Sequence, residues 1–301
     1  MNKAVLVILA GSLALSVGPV STTTATAGGG HEGRGASTSR KAETLYQFGR
    51  FDTFRGTYPG QTTGGLYDGF ATIGRVLAKG DTGLGASDKV DGESIVIDGR
   101  VYRLGADNGV PDVTLSRRSD TTPFMAVTTF DTDARATFTG IESLGAKNTD
   151  GTFRSSSLMG KIEQLIATHP KLAPAGDPDP DTTWSPTYVF RISGRLDTVQ
   201  SRTFTTPDRN PDGTYPTLPT VVANQTVFTN HDVWADLVVV WCPPEMGAAG
   251  VNVAGTHVHW ISKDRRLGGH VLDLQAGALR VRVDKTPYFR LVENPAAPTA
   301  R

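Results

Sequence analysis

The amino-acid sequence predicts a mixed, β-rich α+β fold with few helices, arranged as two domains with mixed sheets. Runs of about four to eight residues rich in Val, Ile and aromatic side chains, bounded by turn residues, dominate the second half of the chain. Apolar residues at helical spacing stand out in two segments, both before residue 171. The polar, proline-rich segment 177–186 follows them, so we expect an N-terminal α/β domain at 43–176 and a C-terminal β-rich domain at 177–301.

The first residues have the pattern of a secretory signal peptide. Lys3 gives a positive start, an apolar run covers 4–17, and Ala25 and Ala27 place small residues where a signal peptidase cleaves. The run is shorter than the roughly 20 residues that a membrane-spanning helix needs. We therefore expect residues 1–27 to be removed and the mature protein to be secreted or held in the cell envelope. A flexible Gly/Ser/Thr-rich leader is expected at 28–42.

The composition is that of an ordinary globular protein, with 38% hydrophobic and 20% charged residues. The 30 basic residues balance the 30 acidic ones, so there is no electrostatic reason to expect a nucleic acid or a membrane surface as partner. Cys242 is the only cysteine, which excludes an intrachain disulfide. Its neighbours Trp241 and Pro243 favour a small buried apolar residue over a reactive thiol.

The elements of the first domain follow from local patterns. The ordered part of the chain should begin at the apolar segment 44–48. A helix is predicted over 67–79 from the spacing of its apolar residues, and Gly80 should end it. These residues are Tyr67, Phe70, Ile73 and Leu77. Three further segments have the composition of strands, and Asp98-Gly99 between the first two is a tight-hairpin signal. These strand segments are 95–97, 100–104 and 124–130.

The clearest helix is predicted at 157–169, where serines precede an apolar face and Pro170 stops the pattern. Beyond the linker the pattern changes to strands. Pro207 to Pro219 should form a long loop because it is rich in Pro, Asp and Gly. The strand candidates of this half are 188–192, 227–228, 237–241, 257–261, 270–274 and 279–283.

Three of the six histidines lie within fourteen residues, as His257, His259 and His270. Alternate residues of a strand point to one face, so His257 and His259 project together. The polar segment 264–269 ends in Gly-Gly and lets the chain reverse, which brings His270 opposite that pair. Three imidazoles with an open position are typical of a catalytic zinc site, although imidazole suits other divalent metals too. The alternative is three separate surface or hydrogen-bonding histidines.

Other candidate residues carry weaker signals. Glu93 stands just before a hydrophobic strand, where an exposed turn acid is the ordinary interpretation. Arg202 follows a strand, where a solvated arginine is the ordinary interpretation. Asp264 or Asp273 could orient a histidine ring from behind. The segment 80–85 resembles a phosphate loop, but it lacks the Lys-Ser/Thr ending and the preceding strand.

Taken together, these segments resemble the α-acetolactate decarboxylase family nearly from end to end, over 45–283. The resemblance implies a two-domain mixed α/β protein of the acetolactate decarboxylase fold, usually dimeric, with one zinc per subunit. It implies that a small 2-hydroxy-3-oxo acid, 2-acetolactate, is decarboxylated to acetoin. The segments that carry it are 45–48, 80–85, 91–93, 122–124, 201–203, 215–219, 252–259 and 264–273.

By the same resemblance His257, His259 and His270 would be the zinc ligands. Glu93 would be the carboxylate beside the metal that assists proton transfer, and Arg202 would hold the substrate carboxylate or act on the intermediate.

Two features depart from the family pattern. Ala86, followed by Ser87, stands where the family usually has a threonine, so a hydroxyl is missing or shifted by one residue. The family also continues into a C-terminal segment with a second active-site glutamate, whereas Glu293 is the only acidic residue left in this tail. A secreted, metal-binding relative that no longer decarboxylates and acts as a small-molecule binding protein is therefore the main alternative. A metal-dependent hydrolase is a more distant one.

Overall fold

The computed structural model describes residues 43–62, 64–172 and 185–297, and these are dominated by β-strands. The predicted signal peptide, the predicted leader and most of the 177–186 segment lie outside the described residues. In chain order the strands are β1 (Thr44–Phe48), β2 (Ala71–Thr72), β3 (Thr82–Ala86), β4 (Glu93–Ile97), β5 (Arg100–Asp107), β6 (Val110–Leu115), β7 (Thr121–Thr122), β8 (Phe124–Thr128), β9 (Ala134–Ile141), β10 (Thr187–Thr203), β11 (Thr226–Cys242), β12 (Gly255–Ser262), β13 (Gly268–Thr286) and β14 (Tyr288–Val292). The helices are α1 (Phe51–Arg55), α2 (Ile73–Leu77), α3 (Leu158–Thr168), α4 (Leu218–Ala223) and α5 (Pro244–Ala248), with a 3₁₀ turn at Asp88–Val90.

The first sheet has seven strands in the order β14-β1-β8-β3-β4-β5-β6. Its pairings are antiparallel except for the parallel pair of β1 and β14, so the sheet is mixed. The predicted hairpin is confirmed, because β4 and β5 flank Asp98 and Gly99 with φ angles of 51° and 69°. Two positive φ angles in succession define the turn type whose twist matches that of the adjoining strands.

The second sheet is antiparallel, with the order β10-β11-β12-β13-β9. Its three long strands have 17, 17 and 19 residues, in β10, β11 and β13. Because β13 also pairs with β10, the ladder of β10, β11, β12 and β13 closes on itself, as in a small barrel. The strand candidates 227–228 and 237–241 are parts of the single strand β11, and 270–274 and 279–283 are parts of β13.

The two sheets exchange strands across the predicted domain boundary. Strand β9, from the first half of the chain, pairs with β13, and β14, from its end, pairs with β1. The described residues between 43 and 297 form one compact unit. The domain boundary at 176/177 therefore stays a prediction. It does not coincide with the boundary between the two sheets, because each sheet contains strands from both sides of it.

Two of the four apolar clusters among the described residues involve the second sheet. One lies inside the closed ladder and is covered by α3, with Trp260, Phe190 and Leu158 all fully buried. The other lies where the first sheet meets β10, β11 and β12, and it includes Ile95 and Ile261. Burial of this apolar surface is the main stabilising contribution to the fold, and it fixes the first sheet against the second.

The predicted helix at 157–169 is confirmed, because α3 begins after Ser157, whose Oγ accepts the backbone N–H of Gly160 at 3.1 Å. The predicted helix over 67–79 is wrong in its first half. Residues 67–70 are not helical, and Tyr67 packs on two aromatic rings at 5.3 Å each. Strand β2 pairs with β7, so only α2 remains helical, with Thr72 as its N-cap. Tertiary packing outweighs the local helical spacing here.

Cys242 is fully buried, as predicted, and burial raises the pKa of its thiol above the ordinary value. The loop predicted from 207 to 219 ends two residues early, because α4 begins at Leu218 with a proline in its first turn. Among the described residues no helix is long and apolar enough to cross a membrane.

Candidate metal centre

Strands β12 and β13 bring the three histidines together. His257 and His259 lie two residues apart on β12 and share a face, and His259 pairs directly with His270 in the ladder. The approach of β10 from the other side depends on Gly269, because a Cβ there would lie 2.7 Å from the carbonyl oxygen of Arg202. The predicted convergence of the three rings is therefore what the structure shows.

The distances between the ring nitrogens match those of a metal-ligand set. Nε2 of His259 lies 3.2 Å from Nε2 of His257 and 3.3 Å from Nδ1 of His270. The ligand atoms of all three rings lie within 4.8 Å of one another. Two nitrogens bound to a tetrahedral zinc at about 2.0–2.1 Å would be about 3.3 Å apart. The three residues can thus hold a zinc-sized ion with little rearrangement.

The protonation of the rings also suits metal binding. Nδ1 of His259 donates to the carbonyl oxygen of Ser94 at 2.8 Å, which leaves the lone pair of Nε2 facing the other two rings. Burial lowers the pKa of His259 to about 3, and it lowers those of His257 and His270 well below the ordinary value. All three imidazoles are therefore neutral at pH 7, as metal ligands must be.

Glu93 and Arg202 lie beside this set, although 109 residues separate them in the sequence. Oε2 of Glu93, at the start of β4, is 3.6 Å from Nε2 of His259. Oε1 of Glu93 is 3.7 Å from Nη1 of Arg202, which pairs with His270 across β10 and β13. The first sheet contributes the carboxylate, and the second contributes the imidazoles and the guanidinium. Neither residue is the exposed turn acid or the solvated arginine that its local sequence suggests.

The charges of these two side chains are poorly solvated. Burial raises the pKa of Glu93 to about 7, and the nearby Arg202 opposes that rise. Burial lowers the pKa of Arg202, and the nearby Glu93 partly offsets this lowering. Because the ordinary pKa of a guanidinium is very high, Arg202 stays charged. Nη1 of Arg202 is buried and has no hydrogen-bond partner in the described part of the chain, and the group lies 4.4 Å from the Phe204 ring. A buried donor of this kind is suited to an anionic ligand.

The two aspartates considered as orienting residues have other partners. Asp264 accepts a hydrogen bond from Ser262 Oγ at 2.6 Å, and Asp273 accepts one from the backbone N–H of Leu144 at 2.7 Å. The carbonyl of Ser94 orients His259 instead. Sequence reasoning missed this group because every residue has a backbone carbonyl, and only tertiary packing selects one.

One of the two departures from the family pattern lies close to the site. Ala86 is buried on β3 and pairs with Glu93, so it presents only a methyl group there. The hydroxyl of Ser87 contacts Ser94 Oγ at 2.8 Å. Glu293 is exposed, and it adds to the effect of Asp52, which is the main group that raises the pKa of Arg50.

The fold and this site define a class of protein in which two packed sheets enclose three histidines that could hold a metal ion, next to a buried carboxylate and a buried guanidinium. The family model described as alpha-acetolactate decarboxylase matches residues 59–156 and 181–297. The α-acetolactate decarboxylase of Lactococcus lactis subsp. lactis is 30% identical over 71% of this chain and 75% of its own length. That of Klebsiella aerogenes is 31% identical over 70% of this chain and 68% of its own length.

Solved structures agree on the fold. The α-acetolactate decarboxylase of Bacillus subtilis strain 168 superposes with a TM-score of 0.64 at 24% identity, over 84% of this chain and 90% of that one. A Staphylococcus aureus protein of unknown function, described as similar to α-acetolactate decarboxylase, gives 0.62 at 21% identity, over 82% and 88%. The chain belongs to the α-acetolactate decarboxylase family.

Proposed function

We propose that this protein is an exported, zinc-dependent decarboxylase that converts 2-acetolactate (2-hydroxy-2-methyl-3-oxobutanoate) into acetoin and carbon dioxide. Family membership supports the reaction. The observation that carries the proposal is the meeting of three neutral imidazoles with Glu93 and Arg202 in one buried place. His257, His259 and His270 would hold the metal. We favour zinc because three protein ligands with an open position are typical of catalytic zinc sites, and imidazole also suits other divalent metals.

Each residue type has a role that the chemistry requires. Breaking the bond between the carboxylate carbon and C2 releases carbon dioxide and moves the bonding electron pair onto the C3 ketone oxygen, which gives an enolate. A divalent cation, when bound, supplies Lewis-acid stabilisation of negative charge on oxygen. Arg202 offers a planar fork that suits a carboxylate, and its unpaired Nη1 is placed to orient that group.

Protonation of C2 of the enolate completes acetoin, and Glu93 is placed to deliver that proton. Its carboxyl is the acidic group next to His259, and it is shielded from water by burial. Proton delivery by a positioned acid contributes about 10²- to 10⁴-fold to a rate. Atoms and charge balance, because the reaction consumes one proton and releases one carbon dioxide.

The test is to purify the mature chain from residue 28, measure its metal content, and assay acetoin from racemic acetolactate. We expect one metal ion per chain and production of acetoin. Glu93→Gln should keep the metal and turn over poorly, and unchanged turnover would remove Glu93 from the scheme. Glu142→Gln is the matched control, because Glu142 is exposed.

The alternative, a metal-binding relative without activity, is motivated by the methyl group of Ala86 next to Glu93. Metal without acetoin would favour this alternative, and a protein without metal would defeat both proposals. Restoring the hydroxyl with Ala86→Thr should then decide whether that group is what the site lacks.

Export is proposed on the pattern of residues 1–27. Expression of the full chain in a bacterial host, followed by N-terminal sequencing of the protein from the extracytoplasmic fraction, checks it. We expect a mature N-terminus at Gly28, and retention of Met1 in the cytoplasm would contradict export.

A further inference from the structure

Three carboxylates meet at a second place, far from the histidines. Glu43 immediately precedes β1, Asp133 immediately precedes β9, and Asp284 lies near the end of β13. One oxygen from each lies within 4.8 Å of the other two. Fourteen residues of β13 separate Asp284 from His270, which is about 46 Å measured along an extended strand. The cluster is therefore independent of the metal centre described above.

Asp284 is the unusual member of this group. Its side chain is fully buried, and neither of its carboxylate oxygens has a hydrogen-bond partner in the described part of the chain. Burial, and then the nearby Glu43, raise its pKa to about 8, while the backbone of Asp131 acts weakly in the opposite direction. A buried carboxylate without partners is expensive, so the ionised form of Asp284 needs a compensating group.

A hard cation would supply that compensation. Calcium takes six to eight oxygen ligands at about 2.3–2.6 Å in flexible geometry. Magnesium keeps several waters and is usually bound through one or two carboxylates, whereas this cluster offers three. The backbone N–H of Lys285 donates to Oδ2 of Asp133 at 2.9 Å, which holds this carboxylate in place. The three carboxylates and the all-oxygen donor set favour calcium.

We propose that Glu43, Asp133 and Asp284 form a second cation site, which binds calcium. Its ligands come from the segment that leads into the first sheet, from the entrance of β9, and from β13 of the second sheet. A bound ion would therefore link the two sheets at the place where the chain begins its first strand. The role is structural, because the three-histidine centre lies elsewhere.

The experiment uses protein that is stripped of all metal by a chelating resin, reloaded with one equivalent of zinc, and then followed by thermal unfolding with added CaCl₂. Binding to the folded state alone predicts a Tm that rises with the logarithm of the calcium concentration above Kd and is about 5–10 °C higher at 100-fold excess over Kd. Titration calorimetry should give one calcium per chain, and MgCl₂ should produce a smaller rise. No calcium-dependent rise in Tm, or no saturable heat, overturns the proposal.

Variants separate this site from its alternatives. Asp284→Asn should abolish the calcium response, and Asp133→Asn should weaken it if Asp284→Asn does not fold. Asp197→Asn, which changes an exposed residue of β10, is the control and should keep the full response. His259→Ala should also keep it, whatever its effect on zinc and activity. An unchanged response in both Asp284→Asn and Asp133→Asn, or loss of the response in His259→Ala, would place the calcium elsewhere and overturn the inference.

Discussion

Replacement of Arg202 tests whether the site uses the shape of the guanidinium as well as its charge. Nη1 of Arg202 lies 3.7 Å from Oε1 of Glu93, and both side chains are largely buried. At an effective dielectric constant of about 20, two unit charges at this distance interact by at most about 4 kcal/mol. Arg202→Lys keeps the positive charge but loses the planar fork. We expect kcat/KM to fall about 10²- to 10³-fold, which is the typical cost of losing one placed stabilising group.

Arg202→Met should lose more, because it removes the charge as well and leaves Glu93 buried without its cation. The pKa of Glu93 should then rise further, since Arg202 is the group that opposes the effect of burial. The assay is steady-state formation of acetoin at several concentrations of acetolactate, with zinc content measured on the same samples. Arg191→Lys is the matched control, because Arg191 lies on the same strand and pairs with the exposed Asp98 at 2.6 Å. Turnover by Arg202→Lys equal to that of the wild type, at full zinc content, would refute the role assigned to the fork.

Three further substitutions test the metal centre and the fold. His259→Ala removes the ring that faces both His257 and His270, so zinc binding and activity should be lost. His231→Ala changes an exposed residue and should leave the zinc content unchanged. Elemental analysis measures the zinc content of both variants. Gly269→Ala places a Cβ 2.7 Å from the carbonyl oxygen of Arg202. We therefore expect the free energy of unfolding to fall by about 1–3 kcal/mol and kcat to fall as well. Wild-type values of both quantities would contradict the close approach of β10. Ser157→Ala removes the N-cap of α3 and should lower the free energy of unfolding, measured in urea, by about 1 kcal/mol. Because this helix lies outside the site, kcat should not change. A fall in kcat at full zinc content would contradict that separation.

Local patterns were sufficient for elements whose signals lie within a few residues. Asp98-Gly99 gave the β4–β5 hairpin, and the serine cap with Pro170 bounded α3. The same reasoning failed over 67–79, where the apolar spacing was helical but Tyr67 was needed in an aromatic cluster and residues 71–72 were needed in a pairing with β7. The spacing of apolar residues within a segment carries no information about its contacts with distant segments. The sequence therefore does not show when such contacts outweigh a local tendency to form a helix.

The candidate metal centre shows the same division. The common face of His257 and His259 on one strand, and the turn that returns His270 towards them, were predictable because alternation and chain reversal are local properties. The approach of Glu93 from the other sheet, and of Arg202, which lies 68 residues before its ladder partner His270, was expected only from family resemblance. Tertiary structure alone decided that the Ser94 carbonyl orients His259 and that Glu43, Asp133 and Asp284 meet. These meetings depend on how two sheets pack and exchange strands, which is set by the burial of apolar surface throughout the molecule rather than by the residues that meet.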